Sequence, residues 1–245
     1  MAKLSIEQLS KSFGSESIIK DLSLHVDEAE FVSILGPSGS GKSTLFHLIG
    51  GLYPPEKGDI YLDGQRITGK RGAISYMPQS PSLLPWRTIL DNVLLGAEIA
   101  GKRDTETARV MMDKAGLGGY ESAYPSQLSG GMKQRASFIR SLLSPQSLIC
   151  LDEPFSALDE FTRLEMQKWL MSIWEHYKRS ILFVTHNIEE ALFLSDRIIV
   201  LSNKPAYVQR EFKIPFKRPR EESLMLTHEF LEWKKTIYNE LREFS

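Results

Sequence analysis

The sequence contains little cysteine, no marked excess of positive or negative charge, and no long apolar run. Cys150 is its one cysteine, so no disulfide can form within the chain, and its apolar neighbours in SLICLDEP predict a small core residue. A single cysteine also favours a reducing compartment. The formal net charge is −1. Because nucleic acid binding usually leaves a basic footprint, we expect no nucleic acid partner.

Membrane and export signals are also missing from the sequence. No uninterrupted apolar run approaches the roughly 18 residues that indicate a membrane-spanning helix. The first residues, MAKLSIEQLSKSF, lack the apolar core and the small-residue cleavage site of a signal peptide. If this protein serves a membrane process, we expect another protein to cross the bilayer.

Strand and helix patterns alternate along the chain. Alternation of apolar and polar residues in LSLHVD and DIYLDG predicts strands with one solvent-facing side. The continuous apolar runs SLICLDE, SILFVTH and RIIVLS predict parallel strands that are buried on both faces. Helical spacing dominates residues 88–144, which predicts a helical lobe inserted between strands.

The end of the chain has the pattern of an amphipathic helix. Its apolar stripe consists of Phe230, Trp233, Ile237, Leu241 and Phe244. Such a stripe packs either on the body of its own chain or on a partner, and we favour its own chain.

The segment GPSGSGKST, residues 36–44, matches the phosphate-binding loop pattern G-x-x-x-x-G-K-[ST]. The apolar run FVSIL precedes it and a predicted helix follows, so a chance glycine-rich turn is a poor explanation. Three glycines permit tight turns that aim backbone N–H groups inward: Gly36, Gly39 and Gly41. Lys42 would reach the β- and γ-phosphates, and Ser43 would bind Mg²⁺.

Polar residues follow several predicted strands. Asp152 ends the apolar run SLICLD, where its carboxylate can approach the Mg²⁺ shell, and the adjacent Glu153 can polarise a water molecule. Gln79 follows ISYMP, and His186 follows ILFVT. Taken singly, Glu153 could be a surface carboxylate and His186 a structural histidine. Because parallel α/β sheets bind ligands at the carboxyl ends of their strands, we expect these side chains to converge with Lys42.

A second anion site is predicted at LSGGMKQR, residues 128–135, which has the pattern of a Ser-Gly-Gly turn opening a helix. An ordinary capped helix explains the motif equally well when it is taken alone. However, one nucleotide has one γ-phosphate, and the loop of residues 36–44 would already bind the phosphates of that nucleotide. The Ser-Gly-Gly turn therefore needs a phosphate from another nucleotide. Two copies arranged head to tail would let the turn of each copy contact the nucleotide of the other.

The order and wording of these segments resemble the ATP-binding cassette (ABC) ATPases. The matching segments are GPSGSGKST, MPQ, LSGGMKQR, LICLDEP, SALD and VTH, between about residue 36 and residue 186. The resemblance implies an α/β fold: a P-loop NTPase core with a mostly parallel central sheet, an N-terminal antiparallel β subdomain and an inserted helical subdomain. We expect one ATPase domain over residues 1–245, with the helical part at about 86–144 and a helical tail at about 221–245.

The same resemblance implies roles for individual residues, with ATP and Mg²⁺ as cofactors. Glu153 is expected to be the general base, and Gln79 and His186 to sense the γ-phosphate. The expected Mg²⁺ ligands are Ser43, Gln79 and Asp152. Expected nucleotide contacts are Gly36, Pro37, Ser38, Gly39, Ser40, Gly41, Lys42, Ser43 and Thr44, with Ser129, Gly130, Gly131 and Asp159 acting across a dimer. Phe13 stands where the family often has a tyrosine that stacks on adenine.

The type of cassette is suggested by what surrounds the motifs. Residues 44–128 contain no long coiled coil, which argues against chromosome and DNA repair ATPases, and LSGGMKQR argues against a P-loop kinase. The wording of SLLPWRTILDNV and FKRPREES resembles importers for nitrate, sulfonates and taurine, and also importers of a thiamine-precursor pyrimidine.

That resemblance implies an ATPase subunit at the cytoplasmic face of the cell membrane. Its expected partners are a second ATPase subunit, transmembrane permease subunits and, indirectly, an extracytoplasmic solute-binding protein. The apolar residues Leu83, Leu84 and Trp86 lie in a predicted loop, so they are either packed beneath it or offered to the permease. We favour contact with the permease.

Overall fold

The computed structural model describes residues 2–242 of the chain as two β-sheets surrounded by α-helices. The strands are β1 (Ala2–Phe13), β2 (Glu16–Asp27), β3 (Phe31–Leu35), β4 (Lys57–Leu62), β5 (Gln65–Arg66), β6 (Ser75–Met77), β7 (Leu148–Asp152), β8 (Ser180–Val184), β9 (Arg197–Leu201) and β10 (Val208–Lys213). The helices are α1 (Lys42–Ile49), α2 (Ile89–Ile99), α3 (Thr105–Lys114), α4 (Gly130–Leu143), α5 (Glu160–Tyr177), α6 (Ile188–Leu194) and α7 (His228–Arg242).

The N-terminal sheet is antiparallel and has the strand order β2-β1-β4-β5. In β2, Leu22, Leu24 and Val26 are buried, while the residues between them face solvent. The alternation in LSLHVD therefore corresponds to one solvent-facing side and one buried side of the strand, as predicted.

The central sheet has the order β10-β9-β3-β8-β7-β6, and its strands from β9 to β6 are parallel. Every residue of β7, β8 and β9 is buried, which confirms the prediction drawn from their continuous apolar runs, and every residue of β3 is buried as well. Cys150 lies in β7 and is buried, also as predicted. The sheet thus brings the ends of β6, β7 and β8 side by side.

Helices α2, α3 and α4 lie in the chain between β6 and β7, as predicted. They pack on one another and share a core with the central sheet. Phe138 of α4 joins the two parts, because its ring centroid lies 5.8 Å from that of Phe155 and 5.7 Å from that of Trp169. The ring of Phe155 in turn lies 5.9 Å from that of Phe183 in β8, so aromatic contacts connect the helical segment to the sheet.

The tail packs on its own chain. Phe230 and Ile237 of α7 are buried, and the ring of Phe230 stacks on that of Phe216 with centroids 5.6 Å apart. The predicted helix is interrupted near its start, since a short 3-10 helix, Glu222–Leu226, precedes α7. Thr227 separates the two and accepts a hydrogen bond from the backbone N–H of Phe230, as a capping residue does. Phe244, the last member of the predicted stripe, lies outside the described residues.

None of the helices described between residues 2 and 242 has both the length and the apolar character needed to cross a bilayer.

Candidate functional site

Two glycines fix the course of the loop between β3 and α1. Gly41 has a φ of 102°, and a Cβ there would lie 2.9 Å from Cγ2 of Ile18. At Gly36 a Cβ would lie 3.1 Å from Oγ of Ser40 and 3.2 Å from the carbonyl oxygen of Leu201. Gly41 combines this clash with a backbone conformation that favours glycine, whereas a side chain at Gly36 would require its neighbours to shift by a few tenths of an ångström.

Lys42, the first residue of α1, holds the loop through its ammonium group. Its Nζ donates hydrogen bonds to the carbonyl oxygens of Gly36 at 2.8 Å and Pro37 at 2.7 Å, and lies 3.4 Å from Oγ of Ser40. Burial lowers the pKa of Lys42, while the nearby carboxylates of Glu153 and Asp152 act against that shift. The loop thus surrounds one buried cation, which suits it to bind phosphate.

Asp152 is buried at the end of β7, and burial raises its pKa. A hydrogen bond from the side chain of Ser43 opposes that shift, and the hydroxyl of Tyr76 lies 3.5 Å from Oδ2. A hydroxyl oxygen and a carboxylate oxygen are therefore adjacent at the start of α1. Because hard oxygen ligands suit Mg²⁺, these two residues fit a magnesium ion that also binds phosphate.

Glu153 follows directly, with a φ of 48° and a backbone N–H that donates to the carbonyl oxygen of Val184 at 2.9 Å. Its carboxylate contacts two other strand ends. Nε2 of Gln79 donates to Oε2 at 2.9 Å, and Nδ1 of His186 lies 3.4 Å from Oε1. The structure therefore brings together the three polar residues that the sequence places after β6, β7 and β8.

Lys42, Ser43, Gln79 and Glu153 line one open cavity, whereas Asp152 and His186 are not among its lining residues. Its lining residues are Ile18, Ser38, Gly39, Gly41, Lys42, Ser43, Thr44, Gln79, Glu153 and Lys204. Of the remaining predicted loop residues, Gly36 and Ser40 are buried and Pro37 is half-buried beneath it. A cavity with a buried lysine, backbone amides and a carboxylate at one rim can hold a polyphosphate next to a proton acceptor.

The Ser-Gly-Gly turn lies elsewhere on the surface. Ser129 is the N-cap of α4, and its Oγ accepts a hydrogen bond from the N–H of Met132 at 3.3 Å. Ser129 and Gly130 are exposed, and a Cβ on Gly131 would lie 3.2 Å from Cδ2 of Leu158. Within the described chain, residues 129–131 do not line the cavity of the phosphate loop.

Asp159 and Phe13 are also outside that cavity. Asp159 is exposed and caps α5, since Oδ1 accepts from the N–H of Thr162 at 3.1 Å. Hydrogen bonds from the Thr162 side chain and backbone lower the pKa of Asp159. Phe13 ends β1, is 45% exposed, and packs edge-on against Tyr53 with ring centroids 5.4 Å apart. Nζ of Lys11 lies over the same ring, 5.3 Å from its centroid, and the exposed part of the ring can contact another flat ring.

The loop after Gln79 is held by two side chains that sequence reasoning did not identify. Buried Asn92 accepts from the N–H of Leu84 at 2.7 Å and donates to its carbonyl oxygen at 3.0 Å. Arg140 of α4 donates to the carbonyl oxygens of Ser82 and Pro81, each at 2.9 Å. Helix α4 is thus joined to this loop.

The three apolar residues of the same loop differ in exposure. Trp86 is 72% exposed, whereas Leu83 packs against the core and Leu84 is half-buried. Trp86 is the member of the three with the most surface to offer a partner.

Sequence reasoning also did not identify Ile18 and Lys204, which line the cavity. Lys204 follows β9 by three residues, and the carboxyl ends of parallel strands are where such sheets bind ligands. That signal could have identified Lys204. Ile18 lies within an antiparallel strand and gives no comparable signal.

The chain matches a known family along more than half its length. The family model described as ABC transporter matches residues 19–156. The formylaminopyrimidine import ATP-binding protein of Halalkalibacterium halodurans is 48% identical, and the match covers 86% of this chain and 84% of that protein. The nitrate import ATP-binding protein of a Synechocystis species is 43% identical, over 86% of this chain and 82% of that protein. An aliphatic sulfonates import ATP-binding protein of Zymomonas mobilis is 41% identical, over 90% of each chain.

A solved structure shares the fold. It is a dimeric ATP-binding cassette in a post-hydrolysis state with bound ADP and phosphate, which is 32% identical to this chain. The superposition has a TM-score of 0.77 and covers 87% of this chain and all of that structure. The chain therefore belongs to the ABC transporter family and is one of its ATP-hydrolysing cassettes, with the P-loop NTPase fold.

Proposed function

We propose that this protein is the energy-coupling subunit of an ABC importer for a small solute. The observation that carries the proposal is the contact of Glu153 with both Gln79 and His186 at the rim of the cavity that contains Lys42. The import proteins to which the chain is similar support the direction of transport.

In this proposal the polar residues of the site share the tasks of hydrolysis. The carboxylate of Glu153 accepts a proton from the attacking water molecule. Gln79 and His186 hold that carboxylate from two sides, so that its orientation depends on both neighbouring strand ends. Lys42 and the backbone N–H groups of residues 36–44 bind the phosphates.

Ser43 and Asp152 are the residues that would hold Mg²⁺, and Gln79 can approach the same ion from its loop. The ion neutralises charge on the phosphate oxygens when it is bound. Phe13 supplies a surface on which adenine can stack, a contact that is typically worth about 1–3 kcal/mol.

We further propose that two cassettes act head to tail. Ser129 and Gly130 are exposed at the start of a helix, Gly131 is half-buried, and all three lie away from the cavity of their own chain. They would therefore contact the nucleotide held by the second ATPase subunit. Exposed Asp159 would lie at the same interface between the two subunits. Because a twofold axis repeats the contact, each dimer would contain two composite sites.

The subunit would bind transmembrane permease subunits at the cytoplasmic face of the cell membrane. Exposed Trp86 in the loop after Gln79 is the proposed point of contact, while Leu83 packs against the core and Leu84 is half-buried. An extracytoplasmic solute-binding protein would act on the other side of the membrane. We treat residues 1–245 as one ATPase domain, with a helical part at about 86–144 and a tail at about 221–245.

A small anion such as nitrate, or an aliphatic sulfonate such as taurine, is the first candidate for the cargo. A thiamine-precursor pyrimidine is the second, because similar proteins serve import of nitrate, sulfonates and formylaminopyrimidine. The comparisons give no support to a DNA repair or chromosome ATPase.

Purification of the intact complex from membranes tests the function, and a deletion strain tests the cargo. We expect this subunit to copurify with a permease and to hydrolyse ATP without stimulation by DNA. The deletion strain should fail to grow on nitrate nitrogen, on sulfonate sulfur, or on the pyrimidine in a thiamine auxotroph. Normal uptake of all three, in a strain without a redundant ATPase, would contradict the assignment.

A further inference from the structure

Lys204 is a cavity-lining residue that none of the motifs accounts for. It belongs to the loop between β9 and β10 and lines the same cavity as Lys42, Ser43 and Glu153. It lies 162 positions beyond Lys42 in the chain, so the fold rather than a local motif places it there.

The loop that carries Lys204 is fixed to the N-terminal sheet. Ala206 donates from its N–H to the carbonyl oxygen of Ile18 at 2.8 Å, and accepts from the N–H of Lys20 at 3.1 Å. Within the loop, Oγ of Ser202 accepts from the N–H of Tyr207 at 3.1 Å. These bonds hold Lys204 beside Ile18, whose side chain in turn contacts the position of Gly41 in the phosphate loop.

The ammonium group of Lys204 forms an ion pair with a neighbouring carboxylate. Its Nζ lies 2.7 Å from Oε1 of Glu16, and both side chains are substantially exposed. Exposed ion pairs of this kind contribute little to stability, at about 0–1 kcal/mol. The pair can therefore open at little cost when a more highly charged anion enters the cavity.

We infer that Lys204 is a second cationic ligand of the nucleotide, and that it exchanges Glu16 for the phosphate chain of bound ATP. A triphosphate carries several negative charges, and Lys42 is the one other cationic side chain among the cavity-lining residues. Glu16, the ion-pair partner of Lys204, then competes with ATP for the ammonium group of Lys204. This inference rests on the proposed assignment of residues 36–44 as the phosphate loop.

The test is the affinity of the purified full-length chain for ATP with Mg²⁺, measured by calorimetry on a matched set of variants. Lys204→Met should weaken ATP binding by about three- to thirty-fold, the range of a charge-assisted hydrogen bond reduced by its exposure. Lys204→Arg should retain most of the affinity. Glu16→Gln should instead tighten binding, by up to about fivefold, because it removes the competitor.

Lys20→Met is the control, because Lys20 is exposed on the same strand as Glu16 and does not line the cavity. It should leave ATP affinity unchanged. Adenosine should bind wild type and Lys204→Met equally, since it has no phosphate. The salt dependence of ATP binding should be smaller in Lys204→Met than in wild type.

If Lys204→Met weakens ATP binding and Glu16→Gln tightens it, Lys204 is a ligand of the nucleotide and not only a member of a structural ion pair. If both variants weaken ATP binding to the same extent and lower the melting temperature together, the pair only shapes the loop and the inference is wrong. It is also wrong if Lys204→Met binds ATP as wild type does. Failure of the wild-type chain to bind ATP would contradict the proposed phosphate loop itself.

Discussion

The side-chain amide nitrogen of Gln79 lies 2.9 Å from Oε2 of Glu153, and this contact connects the loop after β6 to the end of β7. On the other side of the carboxylate, Nδ1 of His186 lies 3.4 Å from Oε1. Both carboxylate oxygens therefore have a nitrogen neighbour from a different strand end. Any movement of the loop after Gln79 changes the surroundings of the proposed base.

Replacing Glu153 with Gln tests its role as the base. The amide keeps the size of the side chain but cannot accept a proton from water, so hydrolysis should fall by about 10²–10⁴-fold. ATP should still bind and should hold the dimer together, which size-exclusion chromatography with ATP would detect. Glu165→Gln, an exposed change on α5, is the control and should hydrolyse ATP normally. Near-normal turnover of Glu153→Gln would remove Glu153 from this role.

Replacing Ser129 with Arg tests the head-to-tail arrangement. Because Ser129 is exposed at the start of α4, the larger side chain should fit on the isolated chain yet obstruct the phosphate of a partner. Binding of ATP to the isolated chain should persist, while hydrolysis in the assembled transporter should be lost. Ser126→Arg, an exposed change three residues earlier, should have little effect.

A mixture of variants makes the same test sharper. Heterodimers of one Lys42→Ala chain and one Ser129→Arg chain place both lesions in one composite site and leave the other intact. Such mixtures should recover part of the activity that either variant lacks alone. Wild-type hydrolysis by Ser129→Arg in the assembled transporter would contradict the arrangement.

The loop after Gln79 offers a contrast between an exposed and a packed residue. Trp86→Ser should change the free energy of unfolding by no more than about 0.5 kcal/mol, because Trp86 is 72% exposed. It should nevertheless reduce binding to the permease. Leu83→Ser should lower the melting temperature, since Leu83 packs against the core. If Trp86→Ser leaves assembly and transport intact, the residue is not the docking contact.

Asp152 should reduce stability at neutral pH. Burial raises its pKa, so the folded state binds a proton more tightly than the unfolded state does. The ionised carboxylate therefore costs stability above the folded-state pKa, and the cost disappears as the pH falls below the unfolded value of about 3.8–3.9. Asp152→Asn should be more stable than wild type at pH 7, and the gain should shrink toward pH 4.

The matched measurement is thermal unfolding of Asp152→Asn and Asp27→Asn across that pH range. Asp27 is exposed at the end of β2, so its replacement should give no comparable gain. Asp152→Asn should also lose Mg²⁺-dependent hydrolysis, in keeping with the common exchange of stability for activity. If Asp152→Asn is less stable than wild type at pH 7, the hydrogen bonds of the Asp152 carboxylate contribute more to stability than its burial costs.

The parts of the fold that the sequence predicts are those whose hydrophobic pattern is complete over a long segment. Strands β7, β8 and β9 are buried along their whole length, so their apolar runs are uninterrupted. Strand β10 was missed because Phe212 is its one buried residue, and its pairing with β9 depends on a distant segment. Helix α6 has seven residues, too few for a period of 3.6 to stand out.

The residues of the candidate site also fall into two groups, those that a local sequence pattern predicts and those that it does not. Lys42, Ser43 and Glu153 belong to local motifs in which a few adjacent residues carry the signal. Lys204 and Ile18 reach the cavity because the backbone of Ala206 pairs with that of Ile18, and no local pattern encodes a contact between such distant segments. The same holds for Arg140, whose partners lie 58 and 59 positions earlier in the chain.

The bonds from Arg140 to the loop after Gln79 have a mechanical consequence. Ser129 caps the helix that contains Arg140, and the ten residue steps from Gly130 to Arg140 correspond to about 15 Å along its axis. A helix of this length is nearly incompressible compared with loops. Under the proposed assignments, one end contacts the nucleotide of the neighbouring cassette and the other holds the loop that faces the permease. A movement of that loop would therefore tilt or shift the Ser-Gly-Gly turn. The permease and the nucleotide of the neighbouring cassette would then be coupled through the movement of one helix.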